Sequence, residues 1–468
     1  MDERVASRAV APGVDLTRIV HAYDVRGLVP EQLGPATAAA LGAAFAEFCA
    51  PAPGIVVGRD MRTSSPELAA AFAAGASAAG VDVLDIGLAC TDAVYYASGS
   101  LGMPGAMFTA SHNPARWNGI KMCRTGAAPI SRNSGLDRIR DRAAELLAAP
   151  PTPVARPGRV EQRDLLDDYA AHLHKLVDTS ASRSLRVAVD AGNGMAGHVV
   201  PRVFAGLPFQ VLPLYFELDG SFPNHEPNPI DPANLADLSA AVLAQGADLG
   251  LAFDGDADRC FVVDEQGRPI SPSAVSGLIA VRELAKHPGS AVVHNLITSR
   301  ALPELITEHG GQPVRTRVGH SFIKAVMAEH DAVFGGEHSG HYYFRDFWFA
   351  DSGMLAALHV LAALGSSPAD TTCSQLLSRF ERYAASGEIN STVADPAAAL
   401  ADLHRTWAGH GRLDDLDGLT VSLADGSWFN VRPSNTEPLL RLNVEAADRA
   451  AMAALRDRVL TQIRKVSS

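Results

Sequence analysis

The chain reads as an α/β protein of four domains, with three similar mixed α/β units, each a sheet core sandwiched by helices, and a smaller α+β unit at the C-terminus. Three observations predict this. At 468 residues the chain is too long for a single hydrophobic core. Short apolar strands alternate with alanine-rich helical stretches, which is the pattern of βαβ units and mostly parallel sheets. That alternation is interrupted by the proline-rich AAPPTPVARPGRV at 148–160 and changes texture after SSPAD, residues 366–370.

The first unit, taken as 1–155, contains the strand GIVVGRD, the helix SPELAAAFAAGASAAG and the strands VDVLDIG and GAMFTAS. In the second, 156–267, a helix from Asp164 precedes the strand LRVAVDAG. A helix from Gly194, the strand FQVLPLYF, a helix around 234–245 and the strands DLGLAFDG and CFVVDEQG complete it. The third, 268–370, runs through the helix SAVSGLIAVRELAKH, the strand SAVVHNL, a helix from Ser299 and the strand PVRTRV. The helix HSFIKAVMAEH, the strand AVFGG and the helix DSGMLAALHVLAALG close it. The fourth, 371–468, is richer in strands (GLTVSLAD, WFNVRPS, LLRLNVEA) and ends in a helix from Asp448. The repetition is architectural and not an exact sequence repeat.

Composition narrows the function classes. A net charge of −12 argues against broad nucleic-acid or anionic-membrane binding, both of which require basic surfaces. Five cysteines, odd in number, widely spaced and without a CxxC pair, suit reduced thiols in a cytoplasmic protein better than a disulfide or zinc framework. The N-terminal MDERVASRAVAPG has no apolar stretch of the signal-peptide kind, and GMLAALHVLAALG at 353–365 is too short to span a bilayer.

The strongest chemical signal is DGDADR, residues 254–259. Asp254, Asp256 and Asp258 at alternate positions can converge on one hard cation, and oxygen-only ligands favour magnesium. An EF-hand is rejected because its sixth position would be Arg259, not glycine, and the flanks read as strands. A solvated acidic turn is the plainer reading, but three aspartates between buried strands would repel one another without a cation. In RPSNTEP, 432–438, the Arg432 fork with Ser434, Asn435 and Thr436 suits a phosphate; as an isolated motif it could equally be a hairpin turn. In GGEHSGH, 335–341, the glycines allow close backbone approach, and Glu337 beside Ser339 can grip sugar hydroxyls. TASHNP, 109–114, offers Ser111, His112 and Asn113 at a strand end, by itself no more than a polar turn. GNGMAG at 192–197 matches a dinucleotide fingerprint, with Glu217 further on, but an NAD site would leave the other motifs without a purpose. No GxSxG elbow supports an esterase.

A group-carrying serine, a cation triad, a sugar loop and a phosphate clamp have phosphoryl transfer on a phosphosugar as their common purpose. With TASHNP, DGDADR, GEHSG and RPSNTEP in that order, one per domain, the chain resembles the α-D-phosphohexomutases over essentially its whole length, and among them the bacterial phosphomannomutases. The resemblance implies four domains around a central cleft. It also implies a phosphorylated Ser111 and Mg²⁺ held by Asp254, Asp256 and Asp258 with the serine's phosphate. Glu337 and Ser339 would hold the 3- and 4-hydroxyls, and Arg432, Ser434, Asn435 and Thr436 the phosphate that is not reacting. Arg26, Lys121, Arg259, His320 and His341 match positions lining the family's catalytic centre, with Lys121 and His341 as candidates for moving the hydroxyl proton, while His112 and Asn113 would shape the serine loop. The implied reaction passes through a hexose 1,6-bisphosphate, which also serves as activator, and feeds nucleotide-sugar synthesis. His338, between the two hydroxyl-gripping residues, is expected to favour mannose over glucose, with glucose or dual specificity as the alternative. LITSR, 296–300, lacks a lysine often found near there in related enzymes. The implied partner is a small phosphosugar, and the implied state a monomer or homodimer. A non-catalytic sugar-phosphate binder is disfavoured by the intact serine and triad.

Overall fold

The computed structural model describes residues 14–149, 154–433 and 439–465. The first sheet runs in the order Val25–Leu28, Trp117–Arg124, Gly105–Phe108, Ile55–Arg59, Val83–Leu88, Val160–Gln162. The last four strands are parallel to one another, as the βαβ alternation predicts. Trp117–Arg124 instead runs antiparallel to both of its neighbours in that order. The physical reason is chain length. Residues 109–116, between Phe108 and Trp117, are too few for the crossover that a parallel neighbour requires, so the chain returns directly.

The same short return recurs in each unit. The second sheet pairs Leu249–Phe253 antiparallel with Cys260–Asp264, while Leu185–Asp190 and Phe209–Leu214 extend it in parallel. The third pairs Phe334–Gly336 with Tyr342–Phe344, beside the parallel Ala291–Asn295 and Gln312–Thr316. In the fourth, antiparallel among the described residues, Trp428–Pro433 pairs with Leu439–Ala446. Each of the four chemical motifs occupies one of these returns.

Two elements pack across the boundaries read from sequence. Val160–Gln162 follows position 155 yet pairs with Val83–Leu88 of the first sheet. The helix Cys373–Leu377 follows position 370 yet buries Cys373, Leu376 and Leu377 in the core of the first three units. That core is continuous, running from Val56 through Leu251 to Leu377. The fourth unit has its own core around Trp407, Phe429 and Val459.

One buried carboxylate ties the first three units together. Asp92, on the helix Thr91–Leu101, accepts at Oδ2 from the Tyr169 hydroxyl at 2.7 Å and the Ser352 hydroxyl at 2.6 Å. The fourth unit is held mainly through charge. Arg315 pairs with Asp414, the Val318 N–H donates to Asp417 at 3.1 Å, and the Arg300 N–H donates to Glu445 at 3.0 Å. Beyond the helix Cys373–Leu377 the apolar contact there is small, formed by Leu296, Ile297 and Trp428 with Val318 beside them. All five cysteines are free thiols, and no helix of the described residues is long and apolar enough to cross a membrane.

Candidate active site

Ser111 is 3% exposed and sits in the return after Gly105–Phe108 with φ of 50°. A left-handed conformation is costly for serine and must be imposed by its surroundings. The imposing residue is Arg62, which sequence reading did not single out. Its guanidinium donates to the carbonyls of Ser111 (2.8 Å), Asn113 (2.7 Å), Pro114 (3.0 Å) and Trp117 (2.9 Å), with Asp60 3.2 Å from Nε. No local pattern reveals such a residue, because its partners are backbone carbonyls. The Ser111 N–H donates to Thr109 Oγ1 at 2.9 Å, and His112 Nδ1 lies 3.3 Å from Ser111 Oγ. Burial, with the nearby charges of Arg259 and Arg26, pushes the His112 imidazole well below its usual range, so it stays neutral. Arg26 reaches the Asn113 side chain and pairs with Asp24 at 2.7 Å.

The metal loop meets this serine directly. Ser111 Oγ donates to Asp254 Oδ2 at 2.7 Å, and a Cβ on Gly255 would fall 2.4 Å from the Ser111 carbonyl, so only glycine permits the approach. Arg259 forks onto Asp254 Oδ2 through Nε (2.9 Å) and Nη2 (2.8 Å). Asp256 Oδ2 accepts from Lys121 at 2.7 Å and from the Thr91 hydroxyl at 2.5 Å, and Asp258 Oδ2 accepts from Lys121 at 2.5 Å. The three aspartates are at most 1% exposed. Burial pushes the Asp254 carboxyl up to about 7, against the pull of Arg259. Burial acts on Asp256 too, but Lys121 and Thr91 outweigh it and hold its carboxyl far below the usual range. The same carboxylates hold the Lys121 ammonium firmly protonated despite burial.

A divalent cation fits this donor set. One oxygen each of Asp256 and Asp258 (Oδ1) is buried without a hydrogen-bond partner, and ligand atoms of all three aspartates lie within 4.8 Å of one another. Buried, unsatisfied carboxylate oxygens are costly, and a hard cation would satisfy them. Asp254, Asp256 and Asp258 are the residues that would hold it.

The sugar loop lies alongside. Glu337, 2% exposed, accepts from the Tyr343 hydroxyl (2.8 Å), the Gly319 N–H (3.2 Å) and Asn295 Nδ2 (3.3 Å). Ser339 Oγ is 2.9 Å from His341 Nδ1, and His341 Nε2 is 3.7 Å from Asp258 Oδ1, so His341 links the sugar loop to the metal loop. Arg432, 8% exposed, donates to Glu388 at 2.5 Å, and Arg441 donates to the other oxygen of that carboxylate at 2.9 Å. Ser434, Asn435 and Thr436 lie outside the described residues, as does the side chain of His320. Arg300 in LITSR donates to Glu304 at 3.0 Å and to the Tyr383 hydroxyl at 2.6 Å. The GNGMAG glycines serve packing. A Cβ on Gly194 would lie 2.7 Å from the Gly255 carbonyl, and one on Gly197 2.2 Å from that of Phe216. Protein backbone thus occupies the close approaches that a dinucleotide pyrophosphate would need.

The fold and this arrangement define a phosphosugar mutase, an isomerase that moves a phosphate within one sugar. The four domain models of the phosphoglucomutase/phosphomannomutase family match in order: α/β/α domain I over 17–148, domain II over 167–267, domain III over 272–383 and the C-terminal domain over 388–462. The chain belongs to this family.

Individual relatives agree. A phosphomannomutase of Salmonella montevideo is 41% identical over 450 residues, covering 94% of this chain and 98% of that protein. Proteins of Xanthomonas campestris called phosphohexose mutases are 42% identical over 448 residues, with 94% and 98% covered. Among solved structures, a phosphoglucomutase/phosphomannomutase family protein of Burkholderia thailandensis superposes with a TM-score of 0.86 at 32% identity, covering 96% of this chain and 98% of that one. An N-acetylphosphoglucosamine mutase of Aspergillus fumigatus, solved with GlcNAc-6P and magnesium, shares the fold at 15% identity and a TM-score of 0.61, with 96% of each chain covered.

Proposed function

We propose that the chain interconverts mannose 6-phosphate and mannose 1-phosphate by way of a phosphorylated Ser111 and a hexose 1,6-bisphosphate. The observation that carries this reading is the direct contact of the three motifs. Ser111 donates to Asp254, and His341 stands between Asp258 and the Glu337/Ser339 pair. Asp254, Asp256 and Asp258 would hold Mg²⁺ beside Ser111, and the cation would supply neutralisation of phosphoryl charge there. The bond from phosphorus to Ser111 oxygen breaks as one forms to the sugar's 1- or 6-oxygen. The second transfer returns the other phosphate to the serine.

Roles for the neighbouring groups follow from their charge. Arg259, locked against Asp254, presents a fixed positive group beside Ser111 Oγ. Lys121, kept protonated by two carboxylates, suits electrostatic stabilisation or proton donation and not the part of a base. His341 is therefore the group assigned to accept the hydroxyl proton. His112 and Asn113 shape the serine loop, Arg26 and His320 line the catalytic centre, and Arg432 with Ser434, Asn435 and Thr436 binds the phosphate that is not reacting.

Specificity is assigned to His338, because Glu337 and Ser339 address hydroxyls common to mannose and glucose. The test is side-by-side kinetics with mannose 1-phosphate and glucose 1-phosphate, in Mg²⁺ and with one hexose 1,6-bisphosphate as activator. The expected kcat/KM favours mannose by about 1–3 kcal/mol, leaving glucose detectable. A preference for glucose would overturn the specificity and leave the mechanism standing. Dual specificity is the second reading, favoured by the name of the Xanthomonas relatives.

A further inference from the structure

Asn295 ends the strand Ala291–Asn295 and is fully buried. The two ends of its amide are distinguished by their partners. The Thr298 N–H donates to Asn295 Oδ1 at 3.0 Å. A backbone N–H can only donate, so the amide oxygen must be the end that faces it. The nitrogen then faces the sugar loop, 3.0 Å from His338 Nδ1 and 3.3 Å from Glu337 Oε1. An amide nitrogen offers hydrogens and no lone pair, so His338 Nδ1 must accept.

A neutral imidazole that accepts at Nδ1 carries its hydrogen at Nε2. That nitrogen faces the fourth unit, 4.0 Å from Glu388 Oε2, beyond hydrogen-bond reach. The Glu388 carboxylate is itself engaged by Arg432 and Arg441. Among the described residues, the Nε2 hydrogen therefore faces the Arg432–Glu388–Arg441 group with no protein acceptor at bonding distance.

We propose that Asn295 is a specificity-determining positioning residue, which fixes His338 as a neutral imidazole donating from Nε2 to the substituent at C2 of the sugar. The proposal rests on the reading that His338 addresses that carbon. Burial, together with the positive charges of Arg432, His341 and Arg441, pushes the imidazole down to about 3, consistent with the neutral form. A donor at this place selects for lone pairs. It donates to the oxygen of a 2-hydroxyl, loses its partner with a 2-deoxy sugar, and meets a hydrogen-bearing cation in a 2-ammonium sugar.

The experiment uses the full-length enzyme with ¹⁵N-labelled histidine. Two-bond nitrogen–proton couplings report which ring nitrogen of His338 carries hydrogen, with assignment by loss of the signal in His338→Gln. The unsubstituted enzyme should show hydrogen at Nε2, and hydrogen at Nδ1 would overturn the proposal without any variant at Asn295. Asn295→Asp keeps the acceptor for Thr298 but presents an oxygen to His338, so the hydrogen should move to Nδ1. The mannose-to-glucose ratio of kcat/KM should then fall by roughly tenfold to a hundredfold. Asn295→Leu, with neither donor nor acceptor, should give a mixture of tautomers and an intermediate ratio. An Nε2 hydrogen that persists in Asn295→Asp refutes the positioning role. A tautomer that moves while the ratio stays constant refutes His338 as the reader of C2, so the two failures are distinguishable.

Discussion

Replacing Thr91 by valine removes one oxygen and alters little else. Thr91 opens the helix Thr91–Leu101, and it holds Asp256 twice: its N–H donates to the Asp256 carbonyl at 3.1 Å and its hydroxyl to Asp256 Oδ2 at 2.5 Å. Valine keeps the backbone contact and the side-chain shape. Oδ2 then keeps Lys121 alone, at 2.7 Å, and the carboxylate is freer to rotate its unpartnered Oδ1 away from the other aspartates. A hydrogen bond to an ionised acceptor contributes about 1.5–3 kcal/mol. Removing a partner that orients a metal ligand typically costs roughly 10–100-fold in affinity, which is about 1.4–2.7 kcal/mol. The two estimates agree. Calorimetric titration with Mg²⁺ should therefore show Kd raised by about one to two orders of magnitude in Thr91→Val. Thr91→Ser, which restores the hydroxyl, should bind nearly as the unsubstituted chain does, and saturating Mg²⁺ should recover most of the activity of Thr91→Val. An unchanged Kd in Thr91→Val would show that Asp256 needs no help from this helix, and the reasoning would fail.

Purified protein should carry phosphate on Ser111, visible as about 80 Da in intact mass, and Ser111→Ala should lack both phosphate and mutase activity; phosphate found only elsewhere, with Ser111→Ala active, would rule out the transfer route. Arg62→Met leaves Asp60 buried and uncompensated and releases four carbonyls, so chemical denaturation should register a loss of roughly 3–5 kcal/mol, and a loss under about 1 kcal/mol would mean that water replaces the guanidinium. For Asp92, burial raises the carboxyl from 3.8 to about 6, so its contribution is fully present below the unfolded value and is lost as pH rises through about 6. Asn at this position has no carboxyl to ionise, and its stability relative to the unsubstituted chain should rise between pH 4 and pH 7 by up to roughly 3 kcal/mol; a pH-independent difference would show that Asp92 titrates normally.

How much of this was legible in the sequence depended on where each residue's partners lie. Apolar periodicity located strands such as Ile55–Arg59 and Leu249–Phe253, because their burial is written in consecutive residues. It passed over Trp117–Arg124, whose Asn118, Lys121 and Arg124 break the apolar run, although this strand supplies Lys121 to the site. The helix Thr91–Leu101 was missed as well, since buried Thr91, Asp92 and Ser98 read as surface until Asp256, Tyr169 and Ser352 are brought to it. Ser111, the aspartates, Glu337 and Arg432 stand out in the sequence because their chemistry is compressed into a few adjacent positions. Arg62, Thr91 and Asn295 act on residues 49 (Ser111), 165 (Asp256) and 43 (His338) positions away, distances at which a single sequence carries no pairing signal.

The two kinds of joint between the units set different resistances to separation. Parting any of the first three would expose the continuous apolar core and strip the Asp92 carboxylate of its hydroxyl donors, a cost that added salt does not relieve. Parting the fourth from the third exchanges Arg315–Asp414 and its neighbouring polar contacts for water and counterions, with little apolar area uncovered. The molecule thus has a rigid three-unit frame and one arm whose hold is tuned by ionic strength. Arg432 rides on that arm while Ser111 and the aspartates stay on the frame, so under the proposed mechanism loosening the arm would move the phosphate clamp and leave the Ser111–Asp254 contact in place.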